Sequence, residues 1–73
     1  MSDKEKELSS ILIQLLHGLG LPKVRIMLTM AVITAYQLQQ TMVDWVADYY
    51  EREGIMTTRI FMSKLNELTD SDF

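Results

Sequence analysis

Pro22–Gln37 reads PKVRIMLTMAVITAYQ, and the parsing of this stretch decides the fold. Pro22 suits the first turn of a helix, where its missing N–H leaves no bond unmade. Behind it, Val24, Met27, Leu28 and Ala31 recur at helical spacing. Ile26, Met30 and Ile33 carry apolar character further around the cylinder, and only Lys23, Arg25 and Thr29 are polar. A helix apolar on nearly every side is expected at the centre of a bundle. Thr34 followed by Gln37 forms a capping box, and Ile33 with Leu38 fits the apolar staple that accompanies one. These signals predict a break, with one helix ending near Val32 and the next starting at Ala35. Without them a single helix would run from Pro22 to Glu53.

Working outward, Ser2 with Glu5 makes another capping box, and Leu8, Ile11, Leu12, Leu15, Leu16 and Leu19 form an ordinary amphipathic stripe. Gly18 is the expected left-handed stop. Downstream, Gly54 closes the third helix, with Ile55 placed to fold back on Tyr50. The apolar arc of that helix, from Leu38 through Met42, Trp45, Val46 and Tyr49, covers roughly twice the width that one neighbour needs. Thr57 is the expected N-cap of a fourth helix, with Met56 and Phe61 as its staple and Phe61, Leu65 and Leu68 as its buried stripe. The predicted fold is all-α, a single compact bundle of four short helices at about 3–17, 22–32, 35–53 and 58–68. Residues 69–73 are acidic and expected to fray, although Phe73 is a possible dimer contact.

Composition narrows the function. The 73 residues are 48% hydrophobic and 23% charged, which is the balance of a folded domain. Domains this small bury only roughly 60% of their unfolded surface and usually add a disulfide, a metal or a partner subunit. There is no Cys and a single His, so a disulfide and a structural zinc site are both set aside. Unusually good packing or a second subunit remains. The net charge of −3 disfavours nucleic acid as the main partner. Met1–Glu7 has mixed charge and no secretory pattern, and no apolar run approaches the ~20 residues of a membrane span. A cytoplasmic protein without a membrane partner is therefore expected.

No residue pattern demands catalysis, a cofactor or a metal. His17 stands alone without a recognisable nucleophile, and it suits the last turn of a helix. Asp44, Asp48 and Glu51 share one face of the third helix, but they lack the Glu-x-x-His pairs of a carboxylate metal bundle. Gly18-Leu19-Gly20 lacks the third glycine of a dinucleotide loop. The informative residues are apolar and aromatic. Ile26, Met30, Tyr36, Trp45, Tyr49 and Tyr50 form the candidate protein interface, and Gln39 is a polar pin within it that could fix register. This predicts a non-enzymatic adaptor, regulator or inhibitor that pairs with itself or another protein. The alternative is a helix-turn-helix regulator of transcription. In it Lys23 and Arg25 touch phosphate while Gln37, Gln40 and Thr41 face bases.

Overall fold

Caps and left-handed residues divide the chain. The computed structural model describes residues 2–71 and contains four helices: α1 (Asp3–Gly18), α2 (Lys23–Ala35), α3 (Gln39–Glu53) and α4 (Thr58–Thr69). The Ser2 side chain accepts from the Glu5 N–H at 3.1 Å, and the Thr57 side chain accepts from the Ile60 N–H at 3.2 Å, so both expected N-caps are made. Met56 and Phe61, the staple of α4, are buried at 6% and 0% exposure.

The helix stops differ from expectation in an informative way. Gly18 is still helical, and the left-handed residue is Gly20 at φ +92°. Gly20 N–H donates to His17 O and Leu21 N–H to Leu16 O, which together make a Schellman motif. The same motif ends α2. Gln37 takes φ +54°, its N–H donates to Thr34 O, and Leu38 N–H donates to Ile33 O at 2.9 Å. Thr34 therefore lies inside α2 and does not cap α3. The chain is broken as predicted, but at Tyr36–Leu38, after Ala35 rather than Val32, and α3 begins at Gln39 rather than Ala35. Ile33 and Leu38 do pack in one core cluster, now across the end of α2 and not across the start of α3. Gly54 closes α3 at φ +81° by donating to Tyr50 O, while Ile55 stays exposed and Met56 enters the core.

Every helix contributes to one core. Leu12 and Leu16 of α1, Met42 of α3, and Phe61 and Leu65 of α4 are wholly buried, as is Ile33 of α2. Helix α1 packs against both α2 and α3, so α1 takes the central place expected of α2. The reason lies in α2 itself, where Ile26, Thr29, Met30 and Ile33 face inward and the opposite stripe faces out. Thr69, expected at the head of a frayed tail, is the last residue of α4 and is buried. Its hydroxyl donates to Leu65 O at 2.8 Å. Asp72 and Phe73 lie outside the described residues.

Candidate protein–protein interface

The outer face of α2 is apolar and uncovered. Val24 is 66% exposed, Met27 62% and Leu28 56%, and exposed Ala31 and Ala35 continue the same line toward the C-terminal end. At about 100° per residue these five positions fall within one strip, opposite the buried strip of the same helix. The strip runs about 16 Å along the axis at 1.5 Å per residue. Singly exposed apolar residues are ordinary on a protein surface, but three large ones side by side on a helix are not.

Grooves flank this ridge. Toward α1, Met27, Ile26 and Met30 face Ile13 across an open cleft of about 610 Å³, with His17 and Lys23 at its polar end. Toward α4, Leu28 and Val32 face Met62 and Leu65 across a smaller cleft of about 220 Å³, with Arg25 beside it. A ridge between two grooves is the relief that helix packing requires of a docking face. The chemistry is one of shape and desolvation, with cations confined to one end.

The residues predicted for an interface do not converge on this face. Ile26, Met30 and Gln39 are buried within the monomer, and their apolar or amide groups serve its own packing. Gln39 opens α3 beside a surface cleft that Ser2, Glu5 and Leu8 also line. Tyr36 and Tyr50 are exposed at separate places on the chain, at the C-cap of α2 and the last turn of α3. Trp45 and Tyr49 are half-buried and lie on a second surface, between α3 and α4. Their rings sit 5.3 Å apart at 42°, Arg52 lies 5.7 Å from the Tyr49 ring centre, and Lys64 lies 5.9 Å from that of Trp45. Arg52 also pairs with Asp48 at 2.8 Å, and Lys64 with Glu67 at 3.4 Å. This corner is occupied by its own ion pairs.

Lys23, Arg25, Gln37, Gln40 and Thr41, the candidates for DNA contact, are all exposed. The amide nitrogen of Gln40 donates to Asp44 at 2.9 Å, so it is engaged within α3. Asp44 and Asp48 each accept a side-chain bond from a neighbouring turn, and no cluster of His, Asp and Glu suitable for a metal occurs among the described residues. No described helix is long and apolar enough to cross a membrane. Sequence reasoning identified Val24, Met27, Leu28 and Ala31 as a stripe but assigned them to the core. The signal that could have turned them outward is the pair Lys23 and Arg25, which bracket that stripe in the first turn and need water. Compared with protein-family models, curated proteins and solved structures, the chain matches none.

Proposed function

We propose that this chain is a non-enzymatic helical protein that acts through protein–protein contact and associates with itself through the outer face of α2. The observation that carries the reading is the uncovered ridge of Val24, Met27 and Leu28. Covering such a ridge removes apolar surface from water at roughly 25 cal/mol per Å², and no element among the described residues covers it. Sedimentation velocity tests the reading. The wild-type chain should sediment as a dimer at about 50 µM and shift toward monomer on dilution. Leu28→Glu should sediment as monomer with an unchanged far-ultraviolet spectrum, because Leu28 is not a core residue. A wild-type chain that stays monomeric at that concentration would overturn it.

A second reading, a helix-turn-helix regulator, draws on one observation. The α2–α3 connection is three residues long with a left-handed residue in its middle, the turn geometry such motifs use. Asp44, Asp48 and Glu51 on the exposed flank of α3 oppose it by repelling phosphate. Its test is retention on duplex DNA that weakens steeply with salt and disappears in Lys23→Glu with Arg25→Glu.

A further inference from the structure

Resting on the self-association proposed above, we infer that two copies of α2 pair antiparallel about a two-fold axis passing between Leu28 and Ala31. Two independent features of the helix support this arrangement.

The first is shape. The exposed strip is large at its N-terminal half, with Val24, Met27 and Leu28, and small at its C-terminal half, with Ala31 and Ala35. A two-fold contact places the same patch against itself, so the patch must be self-complementary. Parallel pairing would set large against large at one end and leave Ala against Ala at the other. Antiparallel pairing centred between Leu28 and Ala31 sets Leu28 over Ala31 of the second copy and Val24 over its Ala35. Val24 and Leu28 then each meet an alanine, while Met27 lies at the flank of the strip level with Val32, and the axes can approach to the close end of the 8–10 Å range for packed helices.

The second is charge. Helix α2 carries Lys23 and Arg25 in its first turn, no acidic residue there, and no basic residue in its last turn. The N-terminal end is therefore the reverse of what the helix macrodipole favours, the C-terminal end has no cation to offset it, and Pro22 supplies no side-chain cap. In the antiparallel register Lys23 lies level with Tyr36 of the second copy, at the negative end of that helix's dipole, which no cation of its own last turn offsets. The cation that opposes its own helix dipole then complements the dipole of its partner. A parallel pair would instead bring two Lys23 and two Arg25 together. A partner of unrelated sequence would have no reason to match both the taper and the charge reversal of this helix.

Cross-linking decides the register, and the chain is suited to it because it contains no Cys. Val24→Cys and Ala35→Cys proteins would be prepared separately, mixed, and oxidised under mild conditions; both positions are exposed, so neither change disturbs the core. A disulfide needs Cα atoms about 4.4–6.8 Å apart, so only residues facing each other will join. The inference expects the mixed Val24→Cys/Ala35→Cys product in about tenfold excess over either self-linked product. Self-linked Val24→Cys as the main product would mean parallel pairing, which overturns the inference and leaves self-association through α2 standing. No disulfide in any arm, with the Cys-free chain sedimenting as a dimer, would move the contact to another face and overturn it as well. A chain that sediments as monomer removes both the register and the proposal on which it rests.

Discussion

Gln37 shows how much a single backbone angle can decide. Its φ of +54° costs an L-residue with a Cβ about 1–2 kcal/mol, and nothing about Gln advertises that conformation. That is why the capping-box reading of Thr34 and Gln37 places the break three to four residues early. The pairing of Ile33 with Leu38 was legible; which helix end it serves depended on an angle that Gln rarely adopts. Gln37→Gly should therefore stabilise the chain by about 0.5–1 kcal/mol, after allowing for the greater freedom of Gly in the unfolded chain, and urea titration would read this directly. Ser9 offers a second gain of different origin. Its Oγ is buried without a hydrogen-bond partner among the described residues. Ser9→Ala removes that unsatisfied hydroxyl and improves helix propensity, so the urea midpoint should rise by an amount equivalent to about 1 kcal/mol. A fall in the midpoint for both variants would show that these two sites are not strained as described.

At the scale of the element, α1 and α4 were readable because their apolar residues have one phase. The stripe of Phe61 and Leu65 is buried as the spacing required, and Thr57 caps it. Helix α2 was not readable in the same way. When nearly all of a cylinder is apolar, periodicity gives no preferred face, and the inward side is set by the chain connections at Leu21 and Leu38, both packed against the core. The phase is visible only through Lys23 and Arg25. These cations also make α2 testable by itself, because charge at its N-terminus acts on the monomer and on the proposed dimer with opposite signs. Lys23→Glu should stabilise the isolated monomer by about 0.3–1 kcal/mol through the macrodipole. For a domain of this size that is a rise of about 1–8 °C in Tm, measured at low concentration and low salt. The same variant should sediment with a weakened dimer. Loss of monomer stability would contradict the description of α2 as charged against its own dipole.

For the molecule as a whole, the accessible surface of 4874 Å² is close to the about 4,700 Å² expected of a folded 8.5 kDa monomer. The monomer is thus normally folded in extent, and what distinguishes it is the quality of the surface on α2. Size and the lack of Cys leave good packing or a second subunit as the means of stability, and the self-association proposed above rests on five positions of one helix face. This has a thermodynamic consequence. If the dimer is the natural state, unfolding is coupled to dissociation, and Tm must rise with protein concentration. Between a concentration well below the dissociation constant and one about a hundredfold above it, the shift should be on the order of 10 °C. Leu28→Glu should abolish the dependence, with its Tm matching that of the wild type at the lowest concentration, since the side chain is 56% exposed in the monomer. Phe61→Ala provides the contrast: the emptied core site should cost about 3–5 kcal/mol at every concentration, most of the stability of so small a domain. A wild-type Tm that does not move across the concentration range would mean that the α2 ridge is tolerated in water, and that its partner is not a second copy of this chain.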